Sequence, residues 1–292
     1  TTVTPLEQLR QRVADELQPL IEQSLANDLL PDNLRPSLAK LPKDKGALTR
    51  NGCLLSYSPT RNPACVFGEK KSSTHILLFG DSHTAHWFPA FDVLAKKNGW
   101  KLTAWTKSGC PSVDVRVARF DKPTYEECNR WQRKTLEDIE KSDADLVVMS
   151  NYRYRGAGKR LTNDIWQAGL ERTVRDLTAS GKQVLLLSDI PVPGLNQSEC
   201  LAGNRKHIQR CTRPRDQSVR KAYLLIEADV AAKYGVTAYD PTDWFCTDSC
   251  PAVIGDMGVR FDEDHMSKTY SEFLAPYLEL LILDALAKSI GS

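Results

Sequence analysis

Five short apolar runs, Ile76 to Phe79, Leu102 to Trp105, Leu146 to Met149, Val184 to Leu187 and Val236 to Tyr239, recur along this chain with helical patterns between them. Unbroken apolar runs of this length suit strands that are buried on both faces. The stretches between them repeat apolar residues at three- and four-residue steps: Ile165, Leu170, Val174 and Leu177; Val219, Tyr223, Ile226 and Val230; and a last series from Phe273 to Ile282. Alternation of strand and helix predicts an α/β domain, a parallel sheet with helices on both faces. In such sheets the site lies beyond the carboxyl ends of the strands, so the residues directly after each run are the ones to inspect.

The first forty residues read differently. Leu6, Leu9, Val13, Leu17, Leu20 and Ile21 form one apolar helical stripe that stops before Pro31. Residues 35 to 73 show no periodicity and read as an irregular connection. The expected division is therefore a helical extension and stapled linker over 1–73 and a catalytic domain over 74–292. A net charge of +2 gives no global electrostatic case for nucleic acid, and no run of eighteen apolar residues is present to span a bilayer. The chain opens at Thr1 without an initiator Met or a signal segment, as a processed or excised piece would.

Eight cysteines fall as four close neighbours, Cys53 with Cys65, Cys110 with Cys128, Cys200 with Cys211, and Cys246 with Cys250. There is no C-x-x-C pair, and none of the five histidines, at 75, 83, 86, 207 and 265, stands beside a cysteine pair with zinc-finger spacing. Four short-loop disulfides are expected, and with them an extracytoplasmic setting.

Gly80-Asp81-Ser82-His83 follows the first core run directly and leads into a helical pattern through Trp87, Phe91 and Leu94. A serine at such a turn exposes its hydroxyl above the sheet, where backbone amides can serve an oxyanion. Alone, the tripeptide suits a helix N-cap equally well. Near the other end stands Asp262-Glu263-Asp264-His265, in a loop before the last helix, for which Ser267 or Thr269 supplies the cap and Glu272 a capping-box partner. A base must take the serine proton, and a carboxylate must hold the imidazole in one tautomer; Asp262 can do this for His265, and Asp264 and Glu263 are poorer candidates. His83 and His86 invite a metal reading, but the spacing supplies no further ligands. No metal and no cofactor are expected.

On these residues the chain resembles the SGNH hydrolases, in which an early serine block and a late D-x-x-H block supply the triad. More narrowly, G-D-S-H-T-A-H-W, then S-G-C-P, then D-E-D-H-M-S resemble the extracytoplasmic SGNH domain fused to membrane acyltransferases of the acyltransferase-three family in bacteria, over roughly residues 74 to 290. The resemblance implies a three-layer α/β/α flavodoxin-like fold. It also implies a covalent acyl-enzyme on Ser82, with His265 as base and Asp262 orienting it. The oxyanion donors would be the amides of Ser82 and Gly109 and the side chain of Asn151, although Met149-Ser150-Asn151 lacks the glycine that often precedes this asparagine. The implied activity is O-acyl transfer, most often of acetyl, to a hydroxyl of a cell-envelope glycan or glycolipid. The partner would be a membrane acyltransferase domain of the same longer chain, or another acyl donor. The same triad serves an O-acetylesterase, and the fold serves a binding module without chemistry. Arg153, Arg155, Lys159 and Arg160, the stretch Arg205 to Arg215, and Trp87 and Trp244 are either acceptor-rim residues or, respectively, solvated loops and core.

Overall fold

The computed structural model describes residues 3–152, 154 and 161–288. The chain divides into two compact units, neither continuous in sequence: one comprises residues 1–46, 190–220 and 240–284, the other 47–189, 221–239 and 285–292. In chain order the helices are α1 (Pro5–Arg12), α2 (Gln18–Ala26), α3 (Ser82–Ala85), α4 (Phe88–Asn98), α5 (Glu126–Glu140), α6 (Asn163–Ala179), α7 (Gln197–Gly203), α8 (Arg215–Ser218), α9 (Lys221–Tyr234), α10 (Lys268–Phe273) and α11 (Ala275–Ala287). The strands are β1 (Leu54–Leu55), β2 (Val66–Gly68), β3 (His75–Gly80), β4 (Lys101–Lys107), β5 (Leu146–Met149), β6 (Gln183–Leu187), β7 (Arg213–Pro214), β8 (Thr237–Tyr239), β9 (Ser249–Cys250), β10 (Val253–Ile254) and β11 (Met257–Gly258).

The seven-stranded main sheet lies within the second unit, in the order β1-β4-β3-β5-β6-β8, with β2 on the same edge of β4 as β1. Only β2 runs antiparallel to its neighbour. The five predicted strands are β3, β4, β5, β6 and β8. Leu77, Phe79, Val147, Met149, Val184 and Leu186 point into a core shared with Trp131 and Ile139 of α5, Leu170 and Val174 of α6, and Ile226 and Val230 of α9. The alternate residues Ile76, Leu78, Leu146, Val148, Leu185 and Leu187 are buried too, so both faces are covered, which is why these strands read as unbroken apolar runs. This is the three-layer α/β/α arrangement expected.

The stretch read as irregular differs: β1 and β2 lie inside residues 35 to 73 and extend the sheet at β4. Strands of two and three residues are too short for alternation to register in the sequence. The Cys53–Cys65 disulfide joins the residues immediately before them. The other expected pairs, Cys110–Cys128, Cys200–Cys211 and Cys246–Cys250, are all formed as well.

In the first unit the predicted N-terminal helix is present as α1 and α2, joined by a π-helical stretch at Val13–Leu17. Leu9, Val13, Leu17 and Ile21 are its buried stripe. Four-residue steps overrun the α-helical period, and the wider turn returns the stripe to one face. The helix is fastened by Gln18 Nε2 donating to the carbonyls of Asp243 and Cys246, and by Ser24 Oγ accepting from the Gly255 amide at 2.8 Å. The expected capping box at α10 is only half there. Ser267 caps the helix by accepting from the Tyr270 amide, whereas Glu272, two residues beyond the position a capping box needs, pairs with Lys268 instead.

One polar cluster ties the starts of β3, β4 and β5 together. The buried His75 contacts Asp143 at 2.7 Å through Nδ1 and Thr103 at 2.8 Å through Nε2, and Lys101 Nζ reaches both oxygens of Asp143. The Lys101 ammonium, and after it His75, holds the Asp143 carboxyl at about 2, below its ordinary 3.8. A depressed carboxyl contributes stability that is fully present above its unfolded value and is lost as pH falls through the folded one. Asp143→Asn is therefore expected to cost about 0.5 kcal/mol at neutral pH, a small effect because solvent screens an exposed pair. It should also flatten the loss of stability between pH 3.8 and about 2. Thermal melts of both proteins across that range check this.

Candidate active site

From β3 the chain passes to β4 on one side, and later to β5 on the other, so the order of strands reverses between β3 and β5. Such a reversal opens a crevice at the carboxyl ends of the two strands. Gly80 ends β3 and Ser82 begins α3; Ser150 and Asn151 directly follow β5. A side-chain carbon on Gly80 would lie 2.1 Å from Thr84 Oγ1 and 3.1 Å from the Ser150 carbonyl, so only glycine allows this approach. Thr84 Oγ1 donates to the Ser150 carbonyl and accepts from the Ser150 amide at 3.2 Å, which knits the serine turn to the end of β5.

Asp81 is the N-cap of α3 and is fully buried. Its Oδ1 accepts from the His83 amide at 2.7 Å, and its Oδ2 from the Tyr152 amide at 2.9 Å and the Tyr154 hydroxyl at 2.7 Å. Burial pushes its carboxyl up, against the pull of His83 and of these donors. The capping role of the G-D-S motif thus belongs to Asp81, and Ser82 stands at the first helical position. Asp81→Asn turns one acceptor into a donor facing donors, and is expected to cost about 1–3 kcal/mol of stability by denaturant titration.

Gly109 follows β4 with φ +63, in the left-handed region that favours glycine. Asn151 is buried, and its Oδ1 accepts from both the amide and the hydroxyl of Ser112, at 2.8 and 3.0 Å. Ser82, Gly109 and Asn151 therefore each follow one of three adjacent strands, as the strand-end rule predicts.

A fourth strand end also contributes. Asp189, two residues beyond β6, meets His83 Nδ1 through Oδ1 at 2.5 Å, and His83 is only 1% exposed. The His83 ring also lies 4.7 Å from Tyr152 and 4.9 Å from His86. His83, His86 and Asp189 bring potential ligand atoms within 4.8 Å of one another, so the fold supplies the third group that spacing could not. The signal was available in sequence: Ser188-Asp189 directly follows the fourth apolar run. A His–Asp hydrogen bond accounts for the pairing of His83 with Asp189.

The D-x-x-H segment lies in the first unit. Phe261 N donates to the His265 carbonyl at 3.2 Å and closes the loop, while Asp262 Oδ1 accepts from the amides of Asp264 and His265 at 3.1 and 2.8 Å. His265 Nδ1 faces the Asp262 carboxylate at 3.0 Å, as expected. Asp264, ranked lower from sequence, reaches the same nitrogen at 2.9 Å, so two carboxylates share it. The imidazole stacks on Phe261 with ring centroids 5.4 Å apart and planes 3° from parallel. Beneath the loop, the buried Arg260 donates to Gln197 Oε1 at 3.0 Å and to the Pro191 carbonyl, and Ser198 Oγ donates to the Phe261 carbonyl at 2.9 Å. Trp87 and Trp244 are both core residues rather than rim, at 1% and 0% exposure. Arg153, Arg155, Lys159 and Arg160 lie outside the described residues.

The family described as SGNH domain (fused to AT3 domains) matches residues 39–279. Among solved structures, the periplasmic domain of the lipopolysaccharide acetyltransferase of Salmonella ser. Paratyphi A is similar at 15% identity and a TM-score of 0.60, over 84% of this chain and 94% of that one. A GDSL-like lipase of Bacteroides thetaiotaomicron aligns at 14% identity and a TM-score of 0.46, over 72% of this chain and 88% of that one. An acetyl xylan esterase aligns at 13% identity and 0.42, over 71% and 99%. A search of curated proteins found no match. Among the described residues, no helix is long and apolar enough to cross a membrane.

Proposed function

The chain belongs to the family of SGNH domains fused to AT3 domains, and from that premise we propose that it is an O-acyltransferase that passes an acyl group through Ser82 to a hydroxyl of a cell-envelope glycan or glycolipid. The observation that carries this reading is the His265 environment: Nδ1 faces the carboxylates of Asp262 and Asp264, which supports the tautomer that leaves Nε2 for the serine proton.

Ser82 Oγ attacks the carbonyl carbon of the acyl donor while its proton passes to His265 Nε2. Asp262 stabilises the imidazolium. The tetrahedral oxyanion is met by the amides of Ser82 and Gly109 and by Asn151 Nδ2, and its collapse expels the donor's leaving group, which takes the proton from His265. In the second half-reaction His265 deprotonates the acceptor hydroxyl, which attacks the acyl carbon and displaces Ser82 Oγ, and Ser82 takes the proton back from His265. Water in place of the acceptor gives an esterase from the same acyl-enzyme, so the outcome depends on acceptor binding and exclusion of water, not on the triad. Acetyl is the preferred group, and the similar lipopolysaccharide acetyltransferase domain from Salmonella supports that choice.

An extracytoplasmic setting is part of the proposal. It is supported by all eight cysteines being paired, and by the periplasmic origin of that similar domain. The fusion that defines the family supports a membrane acyltransferase domain as acyl source. No role for nucleic acid enters. The test is the rate of nitrophenol release from nitrophenyl acetate: Ser82→Ala and His265→Ala are each expected to lower kcat by at least about a thousandfold, and Asp262→Asn by less because Asp264 shares the imidazole. Wild-type rates in folded Ser82→Ala would refute the reading.

A further inference from the structure

We propose that Ser112 is a positioning residue that aims the Asn151 amide at the oxyanion, and that the segment carrying it is clamped for this purpose; the inference rests on Asn151 acting as an oxyanion donor. A side-chain amide has two ends of nearly equal size, and only the nitrogen can donate. The Ser112 main-chain N–H cannot accept a hydrogen bond, so the atom facing it at 2.8 Å must be Asn151 Oδ1. The hydroxyl at 3.0 Å gives the same oxygen a second donor. Nδ2 is thereby turned away from Ser112, and among the described residues it makes no hydrogen bond of its own.

Ser112 can impose this orientation because its own backbone is held on both sides. Gln132 Nε2, from α5, donates to the Pro111 and Val113 carbonyls at 2.8 Å each, straddling Ser112. One residue earlier, Cys110 is bonded to Cys128, one turn before Gln132 on the same helix, and both sulfurs are buried. Asp114 N donates to Thr173 Oγ1 at 3.1 Å just beyond. The clamped segment begins at Cys110, the residue after Gly109, so α5 holds Ser112 and through it one of the three proposed oxyanion donors. Preorganised donors need no reorganisation when charge develops, which is where their catalytic value lies.

The test measures two rates for the whole chain: turnover of nitrophenyl acetate, and the second-order rate at which a fluorophosphonate labels Ser82, followed by mass spectrometry. Labelling needs the nucleophile and the oxyanion donors but no acceptor. Ser112→Ala and Ser112→Gly, which keep the N–H and lose the hydroxyl, are expected to slow both rates about fivefold with KM within about twofold, the loss of one hydrogen bond to the Asn151 oxygen. Asn151→Ala should slow them about a hundredfold, and Ser112→Ala in that background should add nothing. Unchanged rates in both Ser112 variants, or a fivefold loss that persists without the Asn151 side chain, would overturn the inference. If Ser82→Ala is as active as wild type, the functional reading falls and takes this inference with it; an inert Ser82→Ala beside unaffected Ser112 variants removes the inference alone.

Discussion

Thr84 and Ser150 make the contact on which the sheet unit's site depends. The threonine hydroxyl binds both main-chain groups of Ser150 across a gap that the missing side chain of Gly80 leaves open. It locks the turn after β3 to the end of β5, the two strands between which the chain reverses its direction of winding. Asp81 then takes the capping task, leaving Ser82 at the start of α3. Asp81 also binds Tyr152 and Tyr154 beyond β5, so the serine turn and the Asn151 segment are joined twice. Position at a strand end is a consequence of topology; the constancy of that position comes from these buried hydrogen bonds.

The five core strands were legible because a sheet covered on both faces forces each central strand to be apolar throughout, and such runs stand out against helical periodicity. The cysteine pairs were legible because short loops make near neighbours the natural partners. What escaped was either too short or too distant in sequence to leave a pattern. β1 and β2 have two and three residues, and the division of the chain into two discontinuous units rests on contacts such as Gln18 with Asp243 and Ser24 with Gly255, more than two hundred residues apart.

The same contrast holds for the site residues. Asp262 and His265 are three apart, and their contact follows from the loop between them. Asp264 was ranked lower by spacing alone, yet the turn made by Asp262 accepting two backbone amides brings its carboxylate to the same imidazole nitrogen. Asp189 and Ser112 lie 106 and 39 residues from the side chains they bind, so sequence spacing reveals neither partner. Asp189 follows a strand, as Ser82 and Asn151 do, and asking the same question of every strand end finds it; Ser112 needs the fold.

The proposed chemistry passes through a covalent intermediate at one serine. Mixing the chain with nitrophenyl acetate, quenching in acid during turnover and mapping the acetyl group by peptide mass spectrometry observes that intermediate directly. The expected result is a single acetyl ester on Ser82 that is absent from Ser82→Ala and forms far more slowly in His265→Ala. Continued turnover with no acetyl ester on Ser82, or with the label on another side chain, would contradict it.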